Sequence, residues 1–176
     1  MEIRTHRLEV IHTNRLILRE LNNSDLDNIF EWASDEEVCK YLTWYPHESK
    51  DTTKQILNYW LKQYECNPLT FRFGITLKDG DRLIGSIDVI KFEEGSPEIG
   101  YCLNRNYWNH GYMSEALKGF IDYLKTFKIK KILIKADTDN IASNRVILKN
   151  GFTFLKQEKH TNKGKERIIN YYELII

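Results

Sequence analysis

Apolar positions along the chain change period repeatedly, and each change marks an element. Arg15 to Arg19 alternate as a strand does, and Ser24 then caps a predicted helix reaching about Ala33, with Leu26, Ile29, Phe30 and Ala33 on its apolar face. An aromatic-rich stretch follows, in which Tyr41 to His47 reads as a loop between helices. A second helix is expected from Asp51 to about Glu65, with Ile56, Leu57, Trp60, Leu61 and Tyr64 on one side. Phe71 to Leu77 and Arg82 to Phe92 flank Lys78-Asp79-Gly80-Asp81, and Asp-Gly between apolar runs predicts a hairpin.

Gly95, Ser96 and Pro97 lead into a strand in which Ile99, Tyr101 and Leu103 alternate with Gly100 and Cys102. Ala116, Leu117, Phe120, Ile121 and Leu124 then recur at helical spacing, so the period switches near Gly111. A fifth strand, KKILIKAD, precedes a helix from Ile141 to Asn150 that Gly151 stops. Two last strands, about Phe152 to His160 and Arg167 to Ile175, enclose the turn NKGK as an antiparallel edge. This order predicts a mixed α/β (α+β) fold, a mixed sheet with helices on both faces, in a single domain over residues 1–176. No internal repeat, low-complexity run or linker interrupts it.

Gly111 is the most informative position. A glycine at a strand-to-helix join tolerates positive φ and close approach of a ligand, and a helix N-terminus offers unpaired N–H groups and the positive end of the peptide dipole. Ser114 and Glu115 fall in the first turn, where Ser can bond an orphan N–H and Glu suits the dipole. An anionic ligand is the first expectation, against the plainer one that Gly111 only ends a loop. Gly-x-Gly-x-x-Gly and the pattern ending Gly-Lys-Ser/Thr are both absent, which removes the Rossmann and P-loop alternatives.

The run YWNHGYMSEAL, residues 107–117, resembles the pyrophosphate motif Gln/Arg-x-x-Gly-x-Gly/Ala of the GNAT superfamily of N-acetyltransferases, and more narrowly its ribosomal-protein (RimJ/RimL-like) branch. Trp108 stands in the Gln/Arg place and Met113 in the place of the final small residue, two departures from the general form. Thr13 to Leu21, the Asn140, Ser143, Gly151, Phe152 pattern and the tail from Ile169 to Ile176 are similar to the same branch in the same order. The resemblance implies a twisted, mostly antiparallel sheet of about seven strands, splayed between the fourth and fifth so that a pantetheine arm can enter. It also implies acetyl-CoA as co-substrate. Main-chain N–H groups of about Asn109, His110, Gly111, Tyr112, Met113 and Ser114 would hold its diphosphate, main-chain groups of Cys102 and Leu103 its pantetheine amides, and Asn140 one further pantetheine bond.

Amine acetylation needs a free amine, a held thioester carbonyl and a proton for the thiolate. Glu98 could take the amine proton directly or through water, its plain alternative being an exposed strand-end charge. Ser143 is the family-matched proton donor and Tyr172 the alternative; without the family, Asn140 is a helix N-cap with Ser143 at N3, and Tyr172 packs core or rim. The resemblance also implies a base in the sixth strand, where His160, near Glu158, is a secondary candidate, its plain alternative being an exposed strand residue. Tyr41, Trp44, Tyr45 and His47 fall where such enzymes shape the acceptor pocket, and an aromatic wall there would suit a cationic amine.

Composition narrows the partners. Lys plus Arg number 26 against 25 Asp plus Glu, a net charge of +1, so no global field favours nucleic acid or an anionic membrane. Cys39, Cys66 and Cys102 are an odd count without metal-ligand spacing, and His6, His12, His47, His110 and His160 show no i,i+4 pairing with a carboxylate. No metal site is expected. The first ten residues carry no leader-like apolar stretch and nowhere do about 18 apolar residues run together, so a cytoplasmic protein is expected. The acceptor is left open among peptide N-termini, polyamines and other small amines, as is a homodimer. The competing class is a non-catalytic acyl-CoA-binding regulatory module.

Overall fold

The computed structural model describes residues 8–176; His6 and the leader reading of residues 1–7 lie outside them. One eight-stranded sheet runs in the order β1-β2-β3-β4-β5-β6-β8-β7. Its strands are β1 (Ile11–His12), β2 (Leu16–Arg19), β3 (Arg72–Leu77), β4 (Leu83–Glu93), β5 (Ser96–Leu103), β6 (Lys131–Asp137), β7 (Thr153–Asn162) and β8 (Lys165–Ile175). The count exceeds the expected seven because Ile11 and His12 pair antiparallel with Leu18 and Ile17, a ladder too short to leave an alternation in the sequence. Among the described residues every pairing is antiparallel except β5 with β6.

Among the described residues there are five α-helices: α1 (Leu26–Ala33), α2 (Glu36–Cys39), α3 (Lys50–Cys66), α4 (Tyr112–Lys125) and α5 (Ile141–Lys149). Residues Leu83 to Asp88 of β4 are all buried, because this strand is covered on both faces. Ile84 joins Phe73, Phe120 and Leu117 in the larger core under α4, which also takes in Ile147 of α5; Leu83 joins Ile29, Trp32 and Leu57 in a second core under α1 and α3. Phe73 meets Phe120 edge to face with centroids 5.6 Å apart, the arrangement ring quadrupoles favour.

Ser24 does not cap the first helix. Asn22 Oδ1 accepts the Ser24 N–H over 2.8 Å while Asp25 reaches back to the Asn22 N–H over 2.8 Å, closing a capping box around one 3₁₀ turn ahead of α1. Arg19 then grips Asp25 through two bonds of 2.9 Å, so the entry is fixed to β2 as well. Asp35 caps the four-residue α2, which is too short to show a period. Ser49 caps α3 through the Thr52 N–H over 3.2 Å. The last hairpin turns on Lys163 and Gly164, with φ of 51° and 73°, the left-handed pair that matches strand twist.

Candidate active site

Gly111 takes φ 79°, ψ 2° at the start of α4, and Asn109 two residues earlier takes φ 62°. The first helical bond runs from the Glu115 N–H to the Gly111 carbonyl over 3.1 Å, which leaves the N–H groups of Tyr112, Met113 and Ser114 directed out of the helix end. Side chains around this turn serve to shape it. The Trp108 indole N–H donates to the Leu103 carbonyl over 2.8 Å, and the His110 ring donates from Nδ1 to the Trp108 carbonyl over 2.7 Å and stacks on Tyr112. Met113 is buried in the core. Ser114 makes no cap; its Oγ accepts from Asn150 Nδ2 over 3.1 Å, tying α4 to the end of α5. Glu115 is held by Thr13 and Arg15 in the turn just ahead of β2, and hydrogen bonds from these partners outweigh burial and keep its carboxyl below the ordinary range.

Beside this turn the sheet opens. β5 stays paired with β4 as far as Leu103 opposite Gly85, but pairs with β6 only at Glu98 with Leu133 and Ile99 with Ile134. The expected splay therefore lies between β5 and β6. The Asn104 N–H donates to Ile84 over 2.7 Å, so by the two-residue period of an antiparallel ladder Cys102 also faces β4, while the main-chain groups of Tyr101 and Leu103 face the gap.

On the helical side of the gap, the Tyr101 hydroxyl lies 2.9 Å from Ser143 Oγ in the first turn of α5. Burial pushes the Tyr101 phenol up to about 12, with the Ser143 bond pulling the other way. Asn140 caps α5 by accepting the Ser143 N–H over 3.1 Å. Tyr172 is 4% exposed and donates to Asn144 Oδ1 over 2.6 Å, inside a network in which Asn170 Nδ2 also reaches Asn144. Sequence reasoning did not single out Tyr101 as a proton carrier; the usable signal was a hydroxyl-bearing ring on the strand that feeds the glycine turn.

On the other face, Glu98 is 6% exposed rather than an exposed strand-end charge, and its Oε2 lies 2.7 Å from Lys135 Nζ and 3.6 Å from Lys91 Nζ. A hollow of about 490 Å³ lined in part by Glu93, Lys135, Lys156 and Tyr171 opens next to it. The Tyr171 ring carries Lys135 and Lys156 at 4.7 and 4.9 Å, and its hydroxyl lies 2.5 Å from His160 Nε2. Glu158 is 3.5 Å from the same His160 nitrogen, and Lys156 holds the Glu158 carboxyl down at about 2. Asp88, across from Gly100, is buried against Arg72, whose guanidinium stacks on Trp60 at 4.4 Å. Burial pushes the Asp88 carboxyl up and Arg72 opposes it; a lone carboxylate inside the apolar run of β4 was the sequence trace of this pair.

The aromatic loop splits in two. Trp44 turns toward Trp32 at 6.4 Å, and His47 is buried beside Trp44 with Nδ1 2.9 Å from Thr53 Oγ1. Tyr41 reaches over the gap instead, its hydroxyl donating to the Asp139 carbonyl over 3.1 Å. The wall expected to receive a cation already carries the chain's own: Tyr41 has Lys40 and Arg167 at 5.5 and 5.6 Å, and the exposed Tyr45 has Lys163 at 5.5 Å. Among the described residues no group of His, Cys, Asp and Glu could hold a metal ion, and no helix is long and apolar enough to cross a membrane.

A profile described as an acetyltransferase (GNAT) domain matches residues 15–153. The chain is 35% identical over 171 residues to the uncharacterized N-acetyltransferase YnaD of Bacillus subtilis (strain 168), covering 94% of this chain and 96% of the relative. It is 30% identical over 155 residues to the ribosomal-protein-serine acetyltransferase of Escherichia coli (strain K12), covering 79% and 83% of the two chains. The crystal structure of a GNAT-family acetyltransferase from Bacillus anthracis superposes with a TM-score of 0.83 at 27% identity, covering 95% of this chain and 98% of that one.

Proposed function

The chain belongs to the GNAT acetyltransferase family, and from that membership we propose that it is a single catalytic domain, transferring the acetyl group of acetyl-CoA to a primary amine by direct attack in a ternary complex. The observation that carries this reading is the coincidence of two vacancies in main-chain bonding: the outward N–H groups at Tyr112 to Ser114, and the β5 edge freed beyond Ile99. The donor fits both. A Cβ built on Gly111 meets only Arg15 Nη2, at 3.5 Å, so the turn is open to a diphosphate, and the main-chain groups of Tyr101 with the N–H of Leu103, whose carbonyl takes the Trp108 indole, can bond an amide-bearing arm as an added strand would.

Glu98 accepts the amine proton through water, and His160 with Tyr171 is the second site for that proton. As the nitrogen attacks the thioester carbonyl, the C–N bond forms, the C–S bond breaks, and Tyr101 supplies its phenolic proton to the departing thiolate. Ser143 orients that phenol and Asn140 fixes the helix turn that carries Ser143; Tyr172, bound to Asn144, holds the neighbouring wall. Trp108, Asn109 and His110 shape the turn that presents the N–H groups. Kinship at 30% identity to a ribosomal-protein-serine acetyltransferase supports a peptide N-terminus as the acceptor, within the ribosomal-protein branch; a cytoplasmic setting belongs to the same reading.

Thiol release from acetyl-CoA over a panel of peptide and small-molecule amines tests the reading. Glu98→Gln should bind CoA as the wild type does and transfer acetyl more slowly. CoA binding without turnover of any amine would favour the regulatory module, and failure to bind CoA at millimolar concentration would remove both.

A further inference from the structure

Three pieces of chain meet over the gap on the face away from α4. Tyr41 bonds Asp139 at the top of β6. The β7–β8 hairpin tip reaches the same loop, Asn162 Nδ2 donating to the Leu42 carbonyl over 3.2 Å and Lys163 Nζ to the Cys39 carbonyl over 2.6 Å. Trp44 of the same loop and Cys102 of β5 both pack on the second core, so the loop runs from the β5 side of the sheet to the hairpin tip. An amine approaching from this face passes the ring these contacts form.

The charges on the ring are unequal in how well they are matched. Arg167 is neutralised by Asp137 and Asp139, each at 3.6 Å, and Lys40 leans on Glu37 at 3.9 Å. Lys163 is half-buried and, among the described residues, makes no ion pair; its neighbours are a carbonyl, the Tyr45 ring and the like charge of Arg167. Burial disfavours its ammonium form, Cys39 opposes that and Arg167 adds to it, leaving a penalty that an arriving anion would relieve. A cationic acceptor meets the reverse: tyrosine faces already taken and an ammonium group left over.

We propose that the acceptor carries an anionic group, a carboxylate in the first instance, close to its reacting amine, and that Lys163 is the residue that receives it. This specificity rests on the acetyl-transfer reading above. Two sources share the chemistry: a free amino acid, whose carboxylate adjoins its amine, and a peptide with an acidic residue next to its N-terminus. Polyamines are disfavoured.

The test is kcat/KM for thiol release from acetyl-CoA with matched acceptors: an α-amino acid against its amide, and tripeptides with Asp against Asn at the second position. The wild type should favour the anionic member of at least one pair by about tenfold, the order of one charge-assisted hydrogen bond. The preferred pair identifies the source. Lys163→Met should erase the ratio and Lys163→Arg retain it, with CoA titration reporting that both variants are folded. Equal rates within both pairs, faster turnover of a polyamine, or an undiminished ratio in Lys163→Met would overturn the inference while leaving the acetyl-transfer reading intact. No turnover of any amine by a CoA-binding protein would instead defeat that reading, and the specificity with it.

Discussion

Arg15 and Glu115, 100 positions apart in the chain, form the brace of the glycine turn: Arg15 Nε donates to Glu115 Oε2 over 2.7 Å, and the Arg15 backbone N–H donates to Oε1 over 2.6 Å. The same guanidinium donates from Nη1 to the His110 carbonyl over 3.0 Å and lies 4.4 Å from the Tyr112 ring. The turn is thereby fixed to β2 before any ligand arrives. Glu115→Gln or Arg15→Leu should weaken CoA binding about tenfold, roughly 1.4 kcal/mol, by releasing the pre-set N–H groups. Because the folded Glu115 carboxyl is depressed, its contribution is present above the unfolded value of about 4.3 and is lost as pH falls through the lower folded value. Calorimetric CoA titration of both variants checks the first expectation, and unchanged affinity would refute it.

Gly111 is required for its backbone angle more than for space. A Cβ there would meet Arg15 Nη2 at an ordinary 3.5 Å, while φ of +79° is strained for an L side chain. Gly111→Val should therefore cost about 1–3 kcal/mol of stability and weaken CoA binding, and Gly111→Asn, which tolerates the left-handed region better, should cost less. Thermal melts with and without CoA separate the two effects; equal losses for Val and Asn would point to crowding.

Tyr101 with its phenol pushed up to about 12 stays protonated across the working pH range. Tyr101→Phe should lower kcat by about 10²-fold, the usual lower bound for removing a positioned acid, and leave CoA affinity within about twofold. Ser143→Ala should have a smaller effect, since it orients the donor. Pre-steady-state thiol release would read the step directly, and a Phe variant with unaltered kcat would remove Tyr101 from the proton path.

His47 supplies a pH dependence of stability unrelated to chemistry. Thr53 directs its hydroxyl to the Ser49 carbonyl at 3.4 Å, so His47 Nδ1 carries the hydrogen of their bond, and burial lowers the imidazole below its ordinary value. The unfolded chain then binds the extra proton first, so stability is full above about pH 6.5 and declines as pH falls below it. His47→Asn should be less stable at neutral pH and show a flatter melting profile between about pH 6.5 and 5. An identical slope in both proteins would show that another group is responsible.

The sequence by itself determined seven of the eight strands, the main helices, the Asp-Gly hairpin, the left-handed Gly111 at the join and the Asn140 cap, because each depends on side-chain period or on bonds within a few residues. Tertiary structure decided the rest. The opening beyond Ile99 depends on where two strands, paired at residues 35 positions apart, stop pairing, and Tyr101 meets Ser143 across 42 positions of chain. The aromatic loop was the least legible part: Lys163 reaches the Cys39 carbonyl from 124 positions away, and Arg167 covers Tyr41 from the far hairpin. Ionic and cation–π contacts carry no period, and a charge far along the chain chooses its partner only after the strands have been placed.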